Sequence, residues 1–385
     1  MRADWHIVKG KRLWKGRSKM ERKRNVQAGF WRQAVLLAVS LGAGLALSLW
    51  PEEAAAGAAG GIEVCLSVLV PSLFPFMVLG VFLVRSGAAA LLGRILERPA
   101  RFLFRLPGAC APVILMGMVG GYPVGARGTM ALLAAGEISE EEARRMLCFC
   151  VNAGPAFVLS AVGAGFLHSP QAGGILLAAQ LSSGLLLGVL CRWGGKPSPP
   201  ARRPARKPAP SAGEALVLSV SDACRSMVIM CCFVVLFAVL LSFAGLFLPQ
   251  GWALTLLSAL LEVTGGCRDL AAAGAPLWMA AAALGWGGLC VQLQIFSSLG
   301  RLRLSFLRFA LFRLLHGVLA ALGAFLLCLA FPPPAQEVFA NTAEPLAPAL
   351  ASTPWAAAAL LLSCAVFLLS ARRPSQGFAC KRKKI

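Results

Sequence analysis

The sequence predicts an all-α polytopic membrane protein made of two repeat-related halves with broken or re-entrant helices. Three observations lead there: the apolar composition, the lengths of the apolar runs, and a pair of glycine interruptions inside them. Of 385 residues, 58% are hydrophobic and only 14% charged, with a mean hydropathy of +0.74. That is too apolar for a soluble chain of this size. Runs of about 17 to 25 apolar residues, the length a helix needs to cross a bilayer, fall at 33–50, 62–84, 147–167, 171–191, 226–248, 306–331 and 355–371. Repeated runs of that length describe a helical protein and exclude a barrel.

The charge sets the expected orientation. The net charge of +21 is concentrated in a basic arm (1–32), a Pro/Arg-rich linker (192–213, containing KPSPPARRPARKP) and a basic tail (372–385). Short basic segments flanking apolar runs stay in the cytoplasm, so both termini and the linker are expected there. The loop 332–354 has no lysine or arginine and is expected outside. Topology accounts for the basic charge, so no nucleic-acid partner is expected. The run 33–50 follows a basic region as a signal peptide would, with an Ala-rich stretch at 54–59. Its length favours an uncleaved first helix. Thirteen cysteines, mostly in apolar segments, read as small buried hydrophobes, and Cys148 and Cys150 lack a His or further Cys at metal spacing. No metal and no cofactor are expected. Nucleotide-binding GxxxxGK[ST], metal-binding HExxH and nucleophilic GxSxG motifs are all absent, and an enzyme is not expected.

The linker divides the chain into a first transmembrane half, 33–191, and a second, 214–371. Each contains a glycine-interrupted apolar segment: GMVGGYPV at 117–124 and LGWGGLCV at 284–291. Glycine breaks in corresponding places of two halves point to a transporter's binding site. Glycine pairs also serve close helix packing, but packing does not require Pro123. The topology count closes if 109–135 dips in and returns as a re-entrant hairpin. Such backbone must be buried in protein or line a cavity. Ser139 and Glu142 have capping-box spacing, so a helix should start near Glu140. It then meets Asn152, Gly154 and Pro155, either a simple kink or an unwound stretch facing a solute.

The candidate binding residues follow from these breaks and from charges at membrane depth, which are costly and by default functional. The breaks supply Gly120, Gly121, Tyr122, Pro123, Gly125, Asn152, Gly154, Pro155, Gly287 and Gly288. Gln292 and Gln294 add hydrogen-bonding groups after the second break. Glu262, before a glycine pair, has two readings: a carboxylate that holds a coupling cation or proton, or an interfacial group that reaches the headgroups. Arg313 and His316 share a helix face and, with Arg127, would attract an anion. Arg127 also reads as a topology marker, and Arg308 as a snorkelling residue near the helix end.

From GGYPVGARGTMALLAAGEISEEEARRMLCFCVNAGPAFVLSAVGAGF the chain resembles the sporulation integral membrane protein family of endospore-forming Firmicutes, whose members carry nucleoside-recognition, or Gate, domains. The matching motifs are Gly121, Tyr122, Pro123, Gly125, Ala126 and Arg127, then Ile138, Ser139, Glu141, Glu142 and Ala143, then Asn152, Gly154 and Pro155. A looser likeness covers LLEVTGG, GWGGLCVQLQIFS and RLLHG. The resemblance implies a multi-pass protein of the cell membrane or outer forespore membrane that moves dipicolinate, a small planar dianion, towards the forespore. The Gate module's similarity to concentrative nucleoside carriers implies inverted repeats and re-entrant hairpins. Two other readings stand beside it: a nucleoside or other small-solute carrier, and a non-transporting spore-envelope assembly protein. Besides the solute, the expected partner is the lipid bilayer.

Overall fold

The computed structural model describes residues 30–31, 33–194, 210–300 and 302–332. Most of the basic arm, linker residues 195–209, nearly all of the loop 332–354, the run 355–371 and the tail lie outside the described residues. Among the described residues every regular element is helical.

Residues up to Gly57 and those from Ala58 onward form two compact units. In the first, α1 (Gln33–Leu49) is apolar all round. Its Ser40 and Ser48 hydroxyls donate to carbonyls four residues back, at 2.8 and 2.9 Å, which keeps them satisfied without water. The helix α2 (Pro51–Val64) starts on a proline with Glu52 and Glu53 in its first turn, a favourable N-terminal chemistry. It continues through a π-helical stretch, Cys65–Leu69, into α3 (Val70–Arg85). The resulting 33-residue span Pro51–Leu83 begins earlier than the run expected at 62–84. The alanine-rich AAAGAAGG stretch is the reason: alanine forms helix well but adds little hydropathy.

The remaining elements repeat one plan twice. After α3 come α4 (Ala88–Phe104), the pair α5 (Cys110–Val119) and α6 (Tyr122–Ala134), then α7 (Glu140–Phe149), a π-helix Phe157–Phe166, and the long α8 (Pro170–Leu190). After α9 (Ala212–Phe247) come the pair α10 (Trp252–Leu261) and α11 (Val263–Ala272), then α12 (Leu277–Trp286), α13 (Gly288–Ser298) and the long α14 (Phe306–Ala330). The arms α5 and α6 pack side by side as a hairpin, and so do α10 and α11. By contrast α7 with the π-helix, and α12 with α13, are not packed side by side; each pair is one helix broken in the middle. Among the described residues five spans, Pro51–Leu83 included, are long and apolar enough to cross a membrane.

This plan corrects the pairing expected from GMVGGYPV and LGWGGLCV. The first is a hairpin tip, whereas the second interrupts a 22-residue span, Leu277–Ser298. By element order, GGYP corresponds to the turn at Glu262, and GWGG corresponds to NAGP. The contacts between halves are reciprocal in the same sense: α6 packs on α13 as α11 packs on the Phe157–Phe166 helix, and α7 packs on α14 as α12 packs on α8. Glycine contacts draw each broken helix onto its long neighbour, Gly163 against Gly173 and Gly285 against Gly317. Small residues allow backbones to approach where lipid offers no hydrophobic drive. The run 147–167 is thus two half-helices, and 226–248 is the later part of a 36-residue helix.

The capping box forms as the spacing predicts. Ser139 Oγ accepts from the Glu142 amide at 3.3 Å, and Glu142 Oε2 accepts from the Ser139 amide at 2.8 Å. Ser139→Ala is expected to lower stability by about 1 kcal/mol. Thermal unfolding of the purified protein in detergent checks this, with Ser139→Thr expected near wild type.

Candidate functional site

Each half contains two interruptions, and within a half they touch. Gly121 turns the α5–α6 hairpin with φ 85°, a conformation open to glycine. A Cβ on Gly154 would lie 3.1 Å from the Gly121 amide nitrogen, so the hairpin tip rests directly on the NAGP break. In the second half Gly287 and Gly288 both have positive φ (78° and 72°). A Cβ on Gly288 would lie 2.9 Å from the Leu261 carbonyl oxygen and 3.1 Å from Glu262 Cα. Trp286 Nε1 fastens the same pair by donating to the Leu260 carbonyl at 2.9 Å.

Between the two tip-and-break pairs lies a narrow cleft, lined by residues of both halves. Its lining has a common origin. Gly120 to Pro123 begin α6, Gly154 and Phe157 begin the π-helix, Glu262 to Thr264 begin α11, and Cys290, Val291 and Gln294 lie in the first two turns of α13. Four half-helices therefore direct their N-terminal ends at one cleft. Each such end carries roughly half a positive charge and free backbone N–H groups, which favour anions. Glu262 partly offsets one of them. Its Oε1 accepts from the Thr264 amide at 2.9 Å and its Oε2 from the Gly265 amide at 2.6 Å, capping α11. Leu69, Leu73, Met77, Met230 and Val234 close the cleft with apolar surface.

The opposite, carbonyl ends of two half-helices meet behind the cleft at Arg313, which is fully buried. Its guanidinium donates to the Val151 carbonyl at the first break and to the Gly285 and Trp286 carbonyls at the second, the last at 3.3 Å. Among the described residues no carboxylate pairs with it; the C-terminal ends of α7 and α12 supply the negative partner. Arg313 Nη1 lies 3.1 Å from His316 Nδ1 and His316 Nε2 lies 3.2 Å from the Gln180 carbonyl oxygen. Guanidinium only donates, so Nδ1 accepts and Nε2 carries the proton. Tyr122 joins this network: its hydroxyl donates to the Leu284 carbonyl at 2.7 Å, and its ring lies 5.8 Å from the Arg313 guanidinium carbon.

The structure brings Gly120, Gly121, Tyr122, Pro123, Gly154 and Glu262 to the cleft wall, with Gln294. Gly287, Gly288, Gln292, Arg313 and His316 form the layer behind it, where Gln292 Nε2 donates to the Trp286 carbonyl at 3.5 Å. Four expectations need correction. Arg127 does not face the cleft, because its guanidinium donates to the Asp222 carbonyl and Ser226 hydroxyl and ties α6 to α9. Asn152 is buried away from the cleft, with Nδ2 donating to the Phe149 carbonyl at 2.9 Å. Gly125 lies against the Cys150 carbonyl rather than a solute path. Arg313 and His316 do not offer side chains to a solute, since backbone carbonyls occupy them. Pro155 starts the helix after the break. Glu262 is 4% exposed, so the interfacial reading fails. Gln180 was missed, although a lone amide in LLAAQLSSG was a visible signal; Val263, Cys290 and Val291 carry none.

Fold and site together define a polytopic helical membrane protein with a cleft where two hairpin tips meet two broken helices. A family model described as Gate, nucleoside recognition, matches residues 66–170, which run from the π-helical stretch before α3 to the first residue of α8. The chain is also 30% identical over 308 residues to sporulation integral membrane protein YlbJ of Bacillus subtilis (strain 168), covering 69% of this chain and 76% of that protein. The chain belongs to this family of sporulation integral membrane proteins. No solved structure matches it.

Proposed function

We propose that this protein transports a small carboxylate-bearing solute across a membrane of the sporulating cell, and that the solute is dipicolinate moving from the mother cell towards the forespore. The convergence of four half-helix N-termini on one cleft carries this reading. Backbone N–H groups there can bind carboxylates without any cationic side chain, while the Tyr122 ring offers a planar apolar contact. Arg313 holds the opposite ends of two half-helices away from the solute. In this reading the hairpins α5–α6 and α10–α11 are re-entrant from opposite faces of the bilayer. The basic linker marks the cytoplasmic side, and the membrane is the outer forespore membrane. Export of an anion from a negative-inside compartment is favoured by the potential, so no nucleotide site is required.

The test is uptake of labelled dipicolinate into proteoliposomes, with uridine alongside. Dipicolinate uptake is expected for the wild type and loss of most of it in Val291→Trp, which fills the cleft while leaving the hydrogen-bond layer intact. Uptake unchanged by Val291→Trp, or absent in the wild type, overturns the proposal. A second reading, a nucleoside carrier, is favoured by Glu262 and Gln294 in the lining and by the Gate match. Uridine uptake without dipicolinate uptake selects it.

A further inference from the structure

The solute path leaves α4 unused. This helix follows the span Pro51–Leu83 and, at 17 residues with four charged side chains, is not among the helices long and apolar enough to cross a membrane. Among its described side chains three stripes stand out. Ala100 and Phe104 are buried against the core, whereas Leu91, Ile95 and Phe102 are 65%, 68% and 72% exposed. Arg98, Arg101 and Arg105, spaced three and four apart, form a third stripe on one face and are all exposed. An apolar ridge beside a basic stripe is the pattern of a helix lying in the interface plane of a membrane.

Two other elements reinforce the basic end of α4. Buried Arg145 of α7 donates to the Arg105 carbonyl at 3.2 Å and fixes the helix terminus. The turn Cys191–Gly194 that ends α8 places Arg192 over the Phe102 ring, at 5.8 Å from its centroid. The adjacent Trp193 is 71% exposed, as interfacial tryptophans are. Arg101 pairs with Glu97 at 2.9 Å, but among the described residues Arg98, Arg105 and Arg192 form no ion pair.

We propose that α4 and the Cys191–Gly194 turn form a binding site for an anionic phospholipid, its phosphate held by Arg98, Arg105 and Arg192 and its acyl chains against Leu91, Ile95, Phe102 and Trp193. The unpaired positive charge selects an anionic headgroup, and the exposed apolar ridge selects a lipid over a free phosphate.

The experiment uses the full chain purified in detergent and three probes: phosphatidylglycerol, phosphatidylcholine with the same acyl chains, and glycerol 3-phosphate. Lipid retention is read by native mass spectrometry and thermal protection in parallel. Phosphatidylglycerol is expected to bind and protect, and the other two are not. Each arginine removed should weaken binding about fivefold, so Arg98→Gln/Arg105→Gln/Arg192→Gln should lose roughly two orders of magnitude. The corresponding triple lysine variant should retain most of the affinity. Should the glutamine variant misfold, Arg192→Gln alone and a salt titration of the wild type provide the reading, and added salt is expected to weaken retention. Equal retention of the two lipids, protection by glycerol 3-phosphate alone, or salt-independent binding overturns the proposal.

Discussion

Arg313→Leu is expected to destabilise the protein severely, by about 3 kcal/mol or more, with a large fall in its thermal midpoint and in the amount recovered from membranes. Arg313 serves the Val151, Gly285 and Trp286 carbonyls at once. These belong to the ends of half-helices, which have no intrahelical partner. A buried acceptor left without a donor costs about 1–3 kcal/mol; the Val151 and Gly285 carbonyls lose theirs together, and the Trp286 carbonyl keeps only the 3.5 Å contact from Gln292 Nε2. Replacing a buried charged pair by apolar residues can be neutral, but only when both partners leave. Here the partners are backbone and cannot be removed. Arg313→Lys should be intermediate, since a single ammonium cannot span both breaks with Arg's forked geometry. Thermal unfolding in detergent decides it; a midpoint equal to wild type would sink the assigned role. The large effect also separates Arg313 from a solute-binding residue, whose loss would lower transport and leave the midpoint in place.

Gly125→Val should be comparably damaging, through shape alone. A Cβ at Gly125 would overlap the Cys150 carbonyl oxygen, and a Cβ at Gly117 meets the same atom. The arms α5 and α6 thus cross at two glycines and lie directly on the end of α7. A branched side chain there must push the hairpin off the first break, an overpacking cost at the upper end of the usual 1–3 kcal/mol. The predicted result is a lowered thermal midpoint together with loss of dipicolinate uptake, because the hairpin tip forms one wall of the cleft. Gly174→Val is the control: a Cβ there meets nothing within 4 Å, and little change in stability is expected. Equal effects at the two positions would contradict the close approach described here.

The contrast between these residues shows how far the sequence could be read. Gly121, Tyr122 and Pro123 announce a break because glycine and proline punctuate an apolar run, and the cleft does lie beside them. Glu262 was visible as a charge at membrane depth, yet its part in capping α11 depends on the chain turning there. Arg127 looked equally promising beside GGYP. Its partners Asp222 and Ser226 of α9 lie 95 and 99 residues away in sequence and cannot be inferred from local spacing. Arg313 and His316 were recognised as buried polar groups, but their partners are carbonyls near residues 151, 180 and 285. Any carbonyl can accept a hydrogen bond, so no residue type marks those positions in advance.

Local chemistry alone determined that the chain is helical and membrane-embedded, that Ser139 opens a helix, and that helices break at GGYP, NAGP and GWGG. These properties depend on hydropathy, capping and backbone preference over a few consecutive residues. Tertiary structure decided that GGYP pairs with the Glu262 turn, that four N-terminal ends share one cleft, and that one arginine holds the carbonyl ends of two others. Those facts depend on which backbone groups meet across more than a hundred residues, and backbone groups are the same in every residue of the chain.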